Sequence, residues 1–96
     1  MLRHTVLLRW RAGTAPDDVV AVTNGLRALP SVIEELRAYR VGSDAGLADG
    51  NWDFAVVADF DDAAGWRAYT DHPAHQAVAV TVRAMAHERV AVQYEI

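Results

Sequence analysis

The stretch Trp52-Asp53-Phe54-Ala55-Val56-Val57-Ala58-Asp59-Phe60 is the clearest β-strand signal in the chain. Successive side chains of a strand point to opposite sides, and one parity of this stretch is apolar throughout. The apolar parity consists of Trp52, Phe54, Val56, Ala58 and Phe60. The pattern therefore predicts a strand over residues 52–60 that packs one of its sides on a core.

Two helices and a last strand are predicted after this stretch. The pair Asp61-Asp62 places carboxylates where a helix N-terminus favours negative charge, and this helix runs to about Asp71. Pro73 disfavours helical geometry at the residue before it, so we expect the helix to break there. The remaining predicted elements are a helix over 73–85 and a strand over 88–96.

A strand, a helix and a second strand are predicted before the strand over residues 52–60. Residues 2–10 alternate as a strand, with His4 on the apolar parity. Apolar residues then recur at three- and four-residue spacing from about Thr14 to Pro30, which indicates an amphipathic helix. A strand over 36–43 and a long loop rich in Gly and Asp complete the chain.

The order β-α-β-β-α-β is the ferredoxin-like plan, an α+β fold with a four-stranded antiparallel sheet. We expect residues 1–96 to form a single domain. One side of the sheet suits a core: Val6, Leu8, Phe54, Val56, Val90 and Val92. The other side mixes polar and apolar groups: Thr5, Leu7, Tyr39, Val41, Ala55, Val57, Ala91 and Gln93. This mixed side predicts a homodimer in which two sheets pack face to face.

Composition excludes several classes of function. The chain has 96 residues and no cysteine, so disulfides, thiolate catalysis and Cys-ligated metals are ruled out. A net charge of −4 argues against nucleic acid or an anionic membrane as partner. The start, Met1-Leu2-Arg3-His4, lacks the apolar run of a signal peptide, and we expect a cytoplasmic location.

The segment Tyr69-Thr70-Asp71-His72-Pro73-Ala74-His75 carries the residues suited to chemistry. A histidine with an ordinary pKa of about 6.5 can accept a proton at neutral pH. A ring closure of the aldol or Claisen type needs such a base, together with a donor for the developing enolate oxygen. The break at Pro73 allows Tyr69 and His75 to face one cavity, which predicts His75 as general base and Tyr69 as hydrogen-bond donor. The structural alternative is a core tyrosine and a hydrogen-bonded histidine at a helix start.

These segments together resemble the stress-responsive A/B barrel family, called Dabb, over essentially the whole chain. The resemblance is carried by His4 with Val6-Leu7-Leu8, Leu29-Pro30, Trp52–Phe60, Tyr69-x-x-His72-Pro73-x-His75, and Gln93-Tyr94-Glu95. It implies a ferredoxin-like chain whose sheet pairs with that of a second copy to form a dimeric α/β barrel. It does not imply one function, because many members have none assigned and several are known as stress-associated proteins.

One plant member of the family is a polyketide cyclase that closes a linear tetraketide by aldol condensation without a cofactor. The resemblance carries its catalytic tyrosine and histidine onto Tyr69 and His75, and a pocket-lining histidine onto His4. Without this resemblance, a lone histidine on the apolar side of a strand is expected to be a core residue whose ring is hydrogen-bonded. The present chain departs from the cyclase at Asp53, where the cyclase has another pocket histidine. The residues that follow His75 and would form the walls of the pocket also differ from those of the cyclase, so the same substrate is not expected.

The other candidate site residues have two interpretations each. His72 either ties down the turn before Pro73 or lines the pocket. Asp53 is either a carboxylate at a strand end or a pocket group that orients an imidazole. Trp66 either packs at the end of an element or walls the pocket. No metal is expected, because His72 and His75 could offer an i, i+3 pair but no third or fourth ligand is evident.

Three functions compete on this reading. The first is a cofactor-independent polyketide cyclase or lyase with an apolar pocket. The second is a non-catalytic, stress-responsive protein that binds a small hydrophobic ligand. The third, ranked last for lack of a signature, is a monooxygenase of the wider dimeric barrel group. No cofactor is expected for the first two.

Overall fold

A computed structural model describes residues 1–96 and contains four strands, three α-helices and a 3-10 turn. In chain order they are β1 (Leu2–Trp10), α1 (Pro16–Arg27), the 3-10 turn (Leu29–Ser31), β2 (Ala38–Ser43), β3 (Phe54–Phe60), α2 (Ala63–Asp71), α3 (Pro73–Met85) and β4 (Ala86–Glu95). The strands form one antiparallel sheet in the order β2-β3-β1-β4. The predicted ferredoxin-like α+β fold is confirmed.

The elements differ from the prediction mainly at their ends. Helix α3 has the predicted bounds, because Pro73 fixes its first turn. Strands β2 and β3 each begin two residues later than predicted. Strand β4 begins earlier, at Ala86, without any connecting loop after α3. Its pairing starts at once, since Ala86 lies opposite Trp10 and the Met85 carbonyl accepts from the Arg11 N–H at 2.8 Å.

All three helices and the 3-10 turn cover one side of the sheet, and the core lies between them. Its fully buried side chains come from both layers: Leu8, Ile33, Phe54 and Phe60. Gly25 lets α1 approach α3 closely, because a Cβ at this position would lie 3.2 Å from a methyl group of Val78. Helix α3 has no buried residue, and β4 is exposed along almost its whole length.

The prediction for the two sides of β4 was wrong. Gln93 lies opposite His4 and Ala91 opposite Val6, so Ala91 and Gln93 share the helix-covered side of the sheet. Val90 and Val92 therefore point to the other side, where they are 47% and 55% exposed. A shift of one residue in register exchanges the two sides of a strand, so alternation alone does not assign them.

Strand β2 shows the reverse error. Tyr39 lies opposite Ala58 and Val41 opposite Val56, which places both on the helix-covered side rather than on the mixed side. Both are partly buried and pack against the core. The side of the sheet without helices, called the open face below, thus loses four predicted residues, Tyr39, Val41, Ala91 and Gln93, and gains the two valines of β4.

The open face is largely apolar at its centre and charged at its margins. Its apolar members are Leu7, Ala55, Val57, Val90 and Val92. At one margin Arg3 and Asp59 pair across β1 and β3 through two bonds of 2.8 and 2.9 Å. At the opposite end Arg9 donates to Glu88 at 3.2 Å. An apolar patch with a polar rim is typical of a protein interface, so we expect two copies to pair through this face.

A substitution on the open face tests this pairing. In Val92→Glu, pairing would bury a carboxylate in each copy, so we expect a dimer in the unaltered protein and a monomer in the variant. The matched control is Val80→Glu, because Val80 is 64% exposed on α3, away from the open face. Light scattering at micromolar concentration measures both masses. A monomeric unaltered protein, or a dimeric Val92→Glu variant, would contradict the expected interface.

Candidate functional site

A cavity of about 520 Å³ lies between the helix-covered side of β1 and β4 and the helices α2 and α3. Its apolar wall consists of Val6, Leu8, Leu26, Val56, Ala79, Val82 and Ala86. Its polar and aromatic lining consists of His4, Trp66, Tyr69, Thr70, His75, Arg83, His87, Glu88 and Arg89. A space of this size and composition is typical of a small-molecule site. Four of the sequence-predicted site residues meet here: His4, Trp66, Tyr69 and His75.

The break between α2 and α3 positions Tyr69 and His75. His72 adopts extended backbone geometry with φ −63° and ψ 133°, and Pro73 begins the next helix. The His72 ring caps α3, because its Nδ1 accepts the Ala74 N–H at 3.1 Å. His72 therefore serves the turn and is not among the residues lining the cavity. With the helix axis redirected, the rings of Tyr69 and His75 lie 4.2 Å apart between centroids.

The tautomer of His75 follows from its hydrogen bond. Nδ1 of His75 lies 3.2 Å from the Thr70 carbonyl oxygen, which can only accept, so Nδ1 carries the proton. In the neutral ring Nε2 then holds a free lone pair. Burial lowers the pKa of His75 below its ordinary value, and the charges of Arg83 and Arg89 lower it further. His75 is therefore an uncharged base at neutral pH.

His4 has the opposite tautomer. The Gln93 amide donates to its Nδ1 at 2.8 Å, so Nδ1 accepts and the proton of the neutral ring is on Nε2. His4 is 5% exposed, and burial, then the charge of Arg89, lowers its pKa to about 4. The cavity thus contains one neutral histidine that can accept a proton and one that can donate a hydrogen bond.

Tyr69 belongs to a pair of buried phenols. Its hydroxyl lies 2.9 Å from that of Tyr39, and either hydroxyl can be the donor. Burial raises the pKa of both residues, so both hydroxyls stay protonated at neutral pH. When Tyr39 donates to Tyr69, the proton of Tyr69 is free for another acceptor. Sequence reasoning missed Tyr39, because it assigned this residue to the wrong side of β2.

Trp66 contributes a donor without a partner. Its indole Nε1–H is buried and forms no hydrogen bond within the protein. Trp66 lines the cavity, and its ring centroid lies 6.1 Å from that of His4. A buried donor left unpaired costs about 1–3 kcal/mol, so an oxygen that reached it would recover stabilisation.

Asp53 is placed away from the cavity and has a structural role. The pairing of β1 with β3 ends at Leu8 and Phe54, and beyond it the Trp10 N–H donates to the Asp53 carboxylate at 2.9 Å. Asp53 also continues the sheet through its own N–H, which donates to the Leu8 carbonyl at 2.9 Å. Its carboxylate is thus committed to the end of β1 rather than to an imidazole.

Two arginines at the cavity were not anticipated from the sequence. Arg89 lies opposite Leu8 on the helix-covered side of β4, and Arg83 lies in the last turn of α3. The alternation of β4 was the signal that could have found Arg89, once its register was set correctly. No group of three His, Asp or Glu side chains is arranged to hold a metal ion.

The fold and the cavity define a small α+β protein with one helix-covered and one open sheet face. Residues 2–96 match the model of the stress responsive A/B barrel domain, Dabb, and the chain belongs to this family. None of its helices has both the length and the apolar character needed to cross a membrane.

Similar proteins share the architecture. A dimeric ferredoxin-like protein of unknown function from Thermobifida fusca is 48% identical, with a TM-score of 0.93 over 99% of this chain and 90% of that one. An uncharacterized protein of Streptomyces coelicolor is 39% identical over 82 residues, 80% of this chain and 81% of the relative. A hydroxynitrile lyase from Passiflora edulis is 20% identical, with a TM-score of 0.86 over 99% of this chain and 92% of that one, and shows the shared fold.

A double-mutant cycle tests the coupling of the two phenols. Tyr69→Phe and Tyr39→Phe each leave one buried hydroxyl without its partner, so each should lower the free energy of unfolding by about 1–3 kcal/mol. The double variant leaves neither hydroxyl, and we expect it to cost less than the sum of the two single variants. Urea unfolding of the four proteins measures the coupling. Additive costs would show that the hydroxyls do not interact.

Acid stability tests the buried neutral state of His4. Its pKa of about 4 lies below the unfolded value of 6.5, so the unfolded chain binds more protons between these pH values. The stabilisation contributed by the neutral ring of His4 is therefore fully present above pH 6.5 and is lost as the pH falls towards 4. We expect His4 to contribute about 2 kcal/mol to this loss, after allowance for water in the cavity.

The variant His4→Asn isolates this contribution, because an amide oxygen can accept from Gln93 without titrating. Chemical unfolding between pH 4 and pH 6.5 should show a shallower slope for His4→Asn than for the unaltered protein. The carboxylates of Asp59 and Asp61, whose pKa values are lowered beside Arg3 and Arg37, contribute near pH 4 equally in both proteins, so they do not affect the difference between the slopes. Identical slopes would contradict burial of the neutral ring.

Proposed function

We propose that this Dabb protein is a cofactor-independent catalyst of aldol-type carbon–carbon chemistry, a polyketide cyclase or a related lyase acting on a small carbonyl compound. His75 is the general base and Tyr69 the hydrogen-bond donor. The observation that carries the proposal is the free lone pair on Nε2 of a neutral His75 in the wall of an apolar cavity.

The base step follows from the environment of His75. The Thr70 carbonyl holds the ring in one tautomer, so Nε2 can take a proton from a carbon flanked by two carbonyl groups. The lowered pKa keeps the lone pair available below the ordinary titration range of histidine. A weaker base removes a proton less readily, so the step depends on donors that stabilise the enolate as it forms.

Stabilisation of the resulting enolate oxygen needs donors in the same cavity. Tyr69 supplies an O–H supported by Tyr39, and its raised pKa keeps that proton in place at neutral pH. His4 adds a neutral Nε2–H in the same wall. Fixed donors of this kind stabilise developing negative charge without reorganisation.

The relatives support this class of activity and a dimeric state. A protein of the same fold from Passiflora edulis is a hydroxynitrile lyase, so the fold supports lyase chemistry. The Thermobifida fusca relative is dimeric, and we propose that the present chain is a homodimer through its open face. The second candidate function is non-catalytic binding of a small hydrophobic ligand, which the largely apolar cavity lining also favours.

Two matched histidine variants test the catalytic role. His75→Asn keeps a donor for the Thr70 carbonyl but has no basic nitrogen, so turnover of diketide or tetraketide thioesters should fall about 10²–10⁴-fold. His72→Asn is the control, since asparagine is also a favoured N-cap and the cavity is untouched. Equal turnover of the unaltered protein and His75→Asn would refute the assignment of the base. Ligand binding without turnover in any of the three proteins would favour the binding function.

A further inference from the structure

The cavity has two chemically different ends. One end holds the neutral histidines and the tyrosine, against apolar side chains of the sheet and α3. The other end lies where the last turn of α3 leads directly into β4, and it is called the mouth because its lining residues there, Arg83 and His87–Arg89, are exposed. Two guanidinium groups line this mouth, Arg83 from α3 and Arg89 from β4. The polarity therefore changes along the cavity from apolar to cationic.

Neither arginine at the mouth is neutralised within the protein. Three ion pairs of the chain involve Arg3, Arg9 and Arg37, and the other two are formed by the Met1 amino group and by His87. None involves Arg83 or Arg89. The nearest acidic group at the mouth, Glu88, already accepts from Arg9 at 3.2 Å. Two cationic side chains thus share the mouth without a carboxylate of their own, in a chain whose net charge is −4.

Arg89 acts over the interior of the cavity as well as at its mouth. Its charge lowers the pKa of His4, of Tyr69 and of His75, so it lies within electrostatic reach of all three. Arg83 has the same effect on His75. Both arginines, Tyr69 and His75 also line the same cavity of about 520 Å³, so one small ligand can contact the arginines at one end and the proposed reacting groups at the other.

We infer that the cavity binds a small amphipathic acid, whose carboxylate pairs with Arg83 and Arg89 at the mouth and whose apolar, carbonyl-bearing part extends to His75 and Tyr69. The inference deepens the proposed function by naming its substrate class, and it rests on that function for the role of the buried end. Planar guanidinium groups match the two oxygens of a carboxylate, which gives this end both affinity and orientation.

Two probes that differ only in charge test the inference. The probes are 4-phenylbutanoate and 4-phenylbutanamide, titrated calorimetrically into the unaltered protein at low ionic strength. We expect the acid to bind at least about tenfold more tightly than the amide, because a charge-assisted bond to arginine is stronger than a neutral one. Equal affinities, or no binding of the acid at millimolar concentration, would overturn the inference. Displacement of the acid by an equal concentration of inorganic phosphate would also overturn it.

Arginine variants locate the effect. Arg89→Met and Arg83→Met keep the length of the side chain without its charge, and each should weaken the acid about tenfold while leaving the amide unchanged. Arg67→Met is the matched control, because Arg67 is exposed on α2, has no ion pair and does not line the cavity. An equal loss of affinity for the acid in Arg67→Met would show that only the net charge of the protein matters, and it would refute the site.

The catalytic role of His75 and the binding of an acid at the arginines can be refuted independently of each other. Binding of the probes needs no turnover, so His75→Asn should retain the preference for the acid even though its catalysis is lost. A protein that prefers the acid but has no base-dependent turnover would keep the inference and refute the catalytic role. A protein with base-dependent turnover and no preference for the acid would do the reverse.

Discussion

The register of β4 against β1 is the constraint on which the rest of the structure depends. Gln93 opposite His4 and Arg89 opposite Leu8 turn the polar parity of β4 towards the helices. The same register turns Val90 and Val92 to the open face, where they extend an apolar patch. One pairing thus provides both the polar lining of the cavity and the apolar surface through which pairing of two copies is proposed. A slip of one residue would exchange these two sides and remove both features together.

The second determinant is the short interruption between α2 and α3. The His72 cap and Pro73 redirect the chain so that Tyr69 and His75 approach each other across the break. The same break brings the Thr70 carbonyl within 3.2 Å of His75, which selects one tautomer of the ring. Backbone geometry therefore decides which nitrogen of the imidazole is free. The phenol of Tyr39 completes the arrangement from the opposite layer, through a strand distant in sequence.

The fold could be predicted from the sequence because β1, β3 and α3 carry signals that agree with their surroundings. Strands β1 and β3 bury their apolar parity, and Pro73 marks the start of α3. The sides of β4 could not be predicted from its own pattern. Its apolar parity lies on the open face and its polar parity faces a cavity, the reverse of a strand on a simple core. Tyr69 and His75 could be predicted as site residues from their spacing in the sequence. The positions of Tyr39 and Arg89 depend on the register between strands, which the sequence of a single strand does not encode.

The direct passage from α3 into β4 limits how this site can diversify. The helix ends at Met85 and the strand begins at Ala86, while Arg11 binds the carbonyls of both Ala84 and Met85. There is no spare backbone at this corner to lengthen, so an insertion would break either the helix or the sheet. New ligand shapes must therefore be accommodated through side-chain volume alone. Ala79 and Ala86 are the smallest residues of the wall, which makes them the natural positions for reshaping the cavity by design or by evolution.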